Sequence, residues 1–307
     1  MEYRQILLKC LMEAMRKDDK ICVLDADLAK PNGTHPLYKE FPDRCFNVGI
    51  AEANMAGMAA GLSAYGYKPI IVSFAPFVTR RICDQLAVSI AYAKQNVKVI
   101  GTDPGICAEI NGGTHMTFED IAIVRSIPKT VVYDVVDSVQ YEQALPQILD
   151  YEGVVYIRTP RKSYPEVFGD DYKFELFKAD VVKEGTDITI IAGGVMVAEA
   201  MKAVEMLNKD GISAEVISIN TVKPIDKETI LKSVKKTNHV VTCENHNVYG
   251  GIYSAVAELL CEEYPVKVSK VGVLDEFGQV GKYTELLKEY NMTAEDIYLA
   301  AKQNLSK

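Results

Sequence analysis

The amino-acid sequence predicts an α/β fold made of two consecutive open, mostly parallel sheets. Three observations carry that expectation: short continuous runs of branched apolar residues, helical periodicity between them long enough for crossover connections, and one break in the pattern past mid-chain. Met1 to Lys20 places Ile6, Leu7, Cys10, Leu11, Ala14 and Met15 on one helical face between charges. Ile21-Cys22-Val23-Leu24 reads as the first strand. Loops rich in Pro, Asn and Gly follow, then a helix from about Glu52 to Tyr65. Apolar runs at 69–73, 97–101, 130–133 and 154–158 read as central strands covered on both faces. Between Thr159 and Glu184 the periodicity stops at Pro160, Arg161, Lys162, Ser163, Tyr164 and Pro165, then at Phe168-Gly169-Asp170-Asp171, the composition of an interdomain connection. This predicts one unit over 1–174 and a smaller one over 175–307. In the second, strands at Ile188–Ile191, Glu215–Ile219, Val240–Cys243 and Val266–Val271 alternate with helices near 195–208, 226–236 and 250–262.

The 307 residues suffice for two cores, and 48% apolar content excludes a disordered chain. With 34 basic and 42 acidic side chains the net charge is −8, and no run of five basic residues offers a dock for nucleic acid or anionic lipid. Seven scattered cysteines without a Cys-x-x-Cys pair suggest neither a disulfide framework nor a zinc site, and point to the reducing cytoplasm. No apolar run is long enough to span a membrane, and the N-terminus is unlike a signal peptide.

Familiar motifs are mostly absent. No Gly-x-Gly-x-x-Gly follows a strand, although Gly193-Gly194 has half the look, and there is no phosphate-binding Gly-x-x-x-x-Gly-Lys-Ser/Thr. Gly61-Leu62-Ser63-Ala64-Tyr65-Gly66 misses nucleophile-elbow spacing by one residue. The four histidines have no metal-ligand spacing. The informative stretch runs from Phe46 to Gly61: Glu52 opens a helix in which Ala53, Gly57 and Gly61 recur at every fourth position, so a second backbone can come close. A lone Glu there is ordinarily a complement to the helix dipole.

The context adds more. Gly49-Ile50-Ala51-Glu52 opening a small-residue helix resembles the pyrimidine-binding domain of the transketolase family of thiamine diphosphate enzymes. Further stretches agree in order: Asp25-Ala26-Asp27-Leu28; Ser73-Phe74-Ala75-Pro76-Phe77; and Gly112-Gly113-Thr114-His115 with Phe118-Glu119-Asp120-Ile121-Ala122. The second unit is similar to the family's C-terminal domain through Thr221-x-Lys223-Pro224-x-Asp226 and Glu244-Asn245-His246 leading into Gly250-Gly251-x-x-Ser254. The family's diphosphate- and metal-binding Gly-Asp-Gly has only a near match, Gly169-Asp170-Asp171 in the connection. The resemblance therefore implies one subunit of a split enzyme, active with a partner. That partner, an N-terminal transketolase subunit, would hold the diphosphate and its Mg2+ or Ca2+, with two copies of each chain.

The resemblance also implies roles. Glu52 would contact N1′ of the aminopyrimidine as a desolvated carboxyl and is the catalytic candidate, with His115 facing the donor's hydroxyl and carbonyl oxygens. Phe77 would stack on the pyrimidine, supported by Phe74, with Asp27 a further cofactor neighbour. Arg4, Arg81 and Arg161 are candidates for an anionic group on the sugar. Asp103 and Asn111 depart from the family pattern, at a usual phosphate-pocket His and a usual donor-reading Asp. A carboxylate at Asp103 would repel a dianion, so a sulfonated, otherwise modified or unphosphorylated ketose becomes a candidate donor. The expected reaction is transfer of a two-carbon ketol unit from a ketose to an aldose. Alternatives are a 2-oxoacid dehydrogenase decarboxylase beta subunit, a 1-deoxyxylulose-phosphate synthase-like enzyme, and a non-catalytic partner subunit.

Overall fold

The computed structural model describes residues 1–306. The first half runs α1 (Tyr3–Lys17), β1 (Ile21–Asp25), the single turns α2 (Ala29–Asn32) and α3 (Leu37–Glu40), β2 (Cys45–Asn47), α4 (Glu52–Ala64) and β3 (Lys68–Phe74). A π-helical segment, Gln85–Tyr92, leads to β4 (Lys98–Thr102), and a 3-10 segment, Gly105–Asn111, leads to α5 (Asp120–Ser126), β5 (Thr130–Asp134), α6 (Ser138–Asp150) and β6 (Val154–Thr159). The remainder comprises β7 (Asp180–Lys183), β8 (Ile188–Ala192), α7 (Met196–Lys209), β9 (Ala214–Ser218), β10 (Thr221–Lys223), α8 (Lys227–Thr237), β11 (Val240–Asn247), α9 (Ile252–Glu263), β12 (Val268–Val273), α10 (Tyr283–Glu289) and α11 (Ala294–Leu305).

The strands form a seven-stranded sheet ordered β10-β5-β6-β4-β3-β1-β2 and a five-stranded sheet ordered β12-β11-β8-β9-β7. All neighbours are parallel except β10 on β5 and β7 on β9. The central strands β1, β4, β5, β6 and β8 are buried along their whole length, as expected where helices cover both faces. On one face of the larger sheet, α1 and α6 bury Ile6, Leu7, Leu11, Tyr141 and Leu145; on the other, Met55 and Ala59 of α4 pack beside Leu24 and Ile71. The outward face of α4 is open: no atom lies within 4 Å of a Cβ built on Gly57 or Gly61. Ile50, Met58, Tyr65, Val88 and Tyr92 are likewise exposed.

Two strands fall outside the sequence expectation. β7 lies within the stretch read as connection, because its alternating half-buried pattern is that of an edge strand. β10, from the second half, crosses to the larger sheet and pairs with β5.

The carboxyl ends of the two sheets face each other around Arg158. Its guanidinium, 1% exposed, binds Asp120 through Nε at 2.6 Å and Asp134 at 3.0 Å, and donates to the Asn245 carbonyl at 2.8 Å. Tyr156 donates to Asp120 at 2.7 Å, and the Asp134 N–H donates to the Asn220 carbonyl at 2.8 Å. Gly194, with φ +54°, leaves the room Asp134 needs: a Cβ there would lie 2.8 Å from its carboxylate oxygens. Removing the cation strands two buried carboxylates, so Arg158→Leu is expected to cost about 3–5 kcal/mol in urea unfolding. A loss below about 1 kcal/mol would mean that water reaches the carboxylates.

Candidate active site

In open parallel sheets, ligands collect at the carboxyl ends of the strands. Here Phe74, Thr102 and Thr159 are in register at the ends of β3, β4 and β6, so the segments carrying Phe77, Asp103 and Arg161 emerge side by side. Glu52 is the first residue of α4, where the helix dipole favours an anion, and it is 5% exposed. A buried carboxylate needs a cation or donors, and Arg81 meets that need: its Nη1 donates to Glu52 Oε1 at 2.6 Å. The same guanidinium lies over the Phe77 ring, 3.8 Å from its centroid. Arg81, expected at a sugar anion, thus occupies the slot between Glu52 and Phe77.

Phe74, Phe77 and His115 form a three-ring cluster with centroids 5.2–5.8 Å apart. Phe74 is buried and Phe77 half-buried, so Phe77 offers the more accessible face. His115 Nδ1 lies 2.9 Å from Thr114 Oγ1. Partial burial, reinforced by the charges of Arg81 and Arg161, holds its imidazole below the ordinary 6.5 and therefore neutral near pH 7.

Arg161 sits 4.6 Å from the Phe74 ring centroid and is fastened to Asp103. Its backbone N–H and its Nε donate to the two carboxylate oxygens at 2.9 and 2.6 Å. Asp103 is 3% exposed and left-handed, with φ +51°. Burial raises its carboxyl, and the paired guanidinium of Arg161 opposes that shift. Arg4 reaches this group only through its backbone N–H, which donates to the Arg161 carbonyl at 3.2 Å; its side chain pairs with Glu2. Asn111 is exposed at the end of its segment.

Asp27 is exposed, left-handed at φ +64°, and tied to a residue that sequence reasoning did not assign. Asn47 Oδ1 accepts from Asp27 N at 3.1 Å and Gly49 N at 2.9 Å, linking the end of β1 to the turn that delivers Glu52. Its signal was an Asn two residues ahead of a turn glycine. The structure thus gathers Glu52, Phe74, Phe77, Arg81 and His115, with Asp103 and Arg161 alongside; Asp27 and Asn111 are exposed and the Arg4 side chain is paired with Glu2. Gly169-Asp170-Asp171 is exposed in the connection, and among the described residues no three His, Cys, Asp or Glu side chains form a metal cluster. No helix among the described residues is long and apolar enough to cross a membrane.

The two α/β units belong to a known class of proteins. Residues 1–167 match the transketolase pyrimidine-binding domain and residues 177–297 the transketolase C-terminal domain. The chain belongs to the transketolase family, whose members bind thiamine diphosphate. It is 48% identical over 298 residues to the 6-deoxy-6-sulfo-D-fructose transketolase subunit SqwH of a Clostridium species, covering 97% of this chain and 92% of that subunit. It is 34% identical to an apulose-4-phosphate transketolase subunit of Phocaeicola vulgatus, covering 97% and 95%. Among solved structures, a split-gene transketolase described as an inactive beta4 tetramer superposes with a TM-score of 0.90 at 42% identity, covering 100% of this chain and 98% of that one.

The electrostatic arrangement can be read directly by NMR. The His115 ring protons are expected to titrate below pH 6.5. Arg81→Gln or Arg161→Gln should move the midpoint upward, because each removes a repelling cation and leaves its partner carboxylate behind. A midpoint unmoved in both variants would place the guanidinium charges too far away to matter.

Proposed function

We propose that this chain is the C-terminal subunit of a two-chain transketolase, moving a two-carbon ketol unit from a ketose with an anionic tail to an aldose. The observation that carries this reading is the slot between Glu52 and Phe77. It holds a flat, N–H-donating group that stacks on the ring and donates to the carboxylate. Arg81 acts there as a stand-in: an aminopyrimidine is also flat and presents a nitrogen to the same carboxylate, so the residues fit that half of thiamine diphosphate. Thiamine diphosphate, when bound, supplies the carbanion chemistry at the ketose carbonyl. Glu52 holds a proton shared with N1′, Phe77 covers the ring with Phe74 behind it, and Asp27 borders the cofactor. Neutral His115 donates to the donor's oxygens, with Asn111 at the rim of the same loop.

The diphosphate and its divalent cation, Mg2+ or Ca2+, belong in this reading to a companion chain, in keeping with relatives named as subunits. The open face of α4, with Ala53, Gly57 and Gly61, suits close approach of that chain, and two copies of each would complete the assembly. The pyrimidine-side and C-terminal units divide near residue 175. The chain alone is expected to lack turnover.

Asp103 bears on the donor. A phosphate monoester is mostly dianionic at neutral pH, its second pKa being about 6, whereas a sulfonate remains a monoanion. Because Asp103 neutralises Arg161, the pair offers little net attraction, and the attraction forgone is about twice as large for a dianion as for a monoanion. This favours a sulfonated ketose, the class named for the 48% identical relative.

The test starts from the complex isolated from its native source under mild conditions. A companion chain should co-purify and turnover should require both. Glu52→Gln is expected to slow turnover by about 10²-fold or more with assembly intact; near wild-type activity would remove Glu52 from the chemistry. Asp103→Asn should raise kcat/KM for a phosphorylated ketose relative to a sulfonated one by roughly tenfold. An unchanged ratio would mean that the tail lies elsewhere.

A further inference from the structure

The segment from Asp103 to Phe118 carries Asp103, Asn111 and His115, yet the side chains that anchor it are buried in the second half of the molecule. Ile106, Ala108, Met116 and Phe118, each at most 4% exposed, belong to one core cluster with Met196, Val241 and Leu287. The Phe118 ring meets Tyr290 edge-on at 5.3 Å.

The polar attachment is Asn245, 2% exposed near the end of β11. Its Oδ1 accepts from Ile106 N at 2.9 Å, and its Nδ2 donates to the Pro104 carbonyl at 3.0 Å. One amide therefore satisfies a donor and an acceptor of the loop backbone as a neighbouring strand would. Gly105 is required between them: with φ +55°, a Cβ there would lie 2.1 Å from Asn245 Oδ1. Two residues on, Asn247 N donates to the Phe118 carbonyl at 2.9 Å, closing the other end of the segment.

A second contact grips the turn before His115. A Cβ on Gly113 would lie 2.3 Å from the Gly278 carbonyl oxygen, and one on Gly278 would lie 2.7 Å from the Met116 side chain. The loop holds left-handed residues at Asp103, Gly105 and Glu109. Such backbone persists where surrounding contacts over-determine it: Asp103 is met by Thr159 and Arg161 and Glu109 by Lys162, all from the first half, whereas Gly105 and the turn at Gly112-Gly113 are met by Asn245 and by Gly278 and Val280.

We propose that Asn245 is a positioning residue for donor binding: the second unit sets the placement of His115 through this loop without touching the substrate. The inference rests on the donor-site reading given above for His115. Misplacing a binding group by about 1 Å can cost up to 10²-fold. Loosening the loop acts on the donor and leaves the slot of Glu52, Phe74 and Phe77, carried by α4 and β3, in place.

The experiment uses the two-chain complex carrying Asn245→Ala and, separately, Gly278→Ala, which pushes on the turn from its other side. Expected for both is a donor KM raised roughly tenfold, with acceptor KM and thiamine diphosphate affinity within about twofold of wild type. In Asn245→Ala, hydrogen exchange should quicken over 104–118 while the β1 and β8 peptides keep wild-type protection. Gly278→Ala supplies the test should Asn245→Ala fail to assemble. A folded, assembled variant with an unchanged donor KM overturns the inference. So does a proportional loss in every kinetic constant, which would mark a merely structural role. His115→Ala, run in parallel, separates the two readings. If it cripples donor use while the clamp variants behave as wild type, only the present inference fails; if it changes nothing, the donor-site reading falls and takes this one with it.

Discussion

Arg158 is the constraint on which the arrangement of the two halves depends. A guanidinium at 1% exposure is tolerable only if its charge is matched and its N–H groups are met. The matching groups come from three elements: Asp120 at the start of α5, Asp134 at the end of β5, and the Asn245 carbonyl in β11. Replacing well-packed apolar groups by such a cluster gains little stability in general. Its requirement for one geometry fixes how far β11 stands from β6, and Asp120 ties that distance to the end of the loop carrying His115.

The facing of the two sheets has a functional consequence. Each would offer a ligand crevice at its carboxyl edge. In the second sheet that edge is filled: Gly193-Gly194 pack on Asp134, Asn220 accepts from Asp134 N, and His246 is wholly buried beside Asp120. Burial pushes the His246 imidazole down to about 4, against the pull of Asp120, so it stays neutral in the junction at ordinary pH. The glycine pair that resembled half a nucleotide fingerprint is explained by close packing. At the carboxyl edge of the first sheet, by contrast, Asp27 is exposed and Phe77 half-buried, and there the aromatic cluster and Glu52 assemble.

Much of this architecture was legible because it is local. Branched apolar runs placed β1, β3, β4, β5, β6 and β8 to within a residue or two, and Glu52 opens its helix as read. What was not legible depends on partners far apart in sequence. β10 has three residues and takes its identity from β5, and β7 is an edge strand whose alternation sits among prolines and aromatics. The motifs named the site residues, whereas their pairing was hidden: Arg81 and Glu52 are 29 positions apart, Arg161 and Asp103 58, and Asn245 and Ile106 139. A charge pattern lists candidate cations, but which carboxylate each finds is decided by the fold. Three guanidinium groups that looked alike in sequence therefore have different surroundings.

Those differences separate two ion pairs flanking the same rings. The Arg81 side chain is 46% exposed, so on leaving Glu52 it returns to water, and the buried Glu52, 6% exposed, needs only that another flat donor take its place. The Arg161 and Asp103 side chains are 15% and 4% exposed, and two carboxylate oxygens are met by both backbone and side-chain donors. Opening that pair would leave a buried carboxylate unmatched, a far larger penalty. One pair is thus suited to give way when a ring enters, while the other keeps its charge balance and its place over Phe74. In the proposed reading, a site with one exchangeable and one fixed guanidinium would admit a cofactor at one end without disturbing the electrostatics that would confront the substrate at the other.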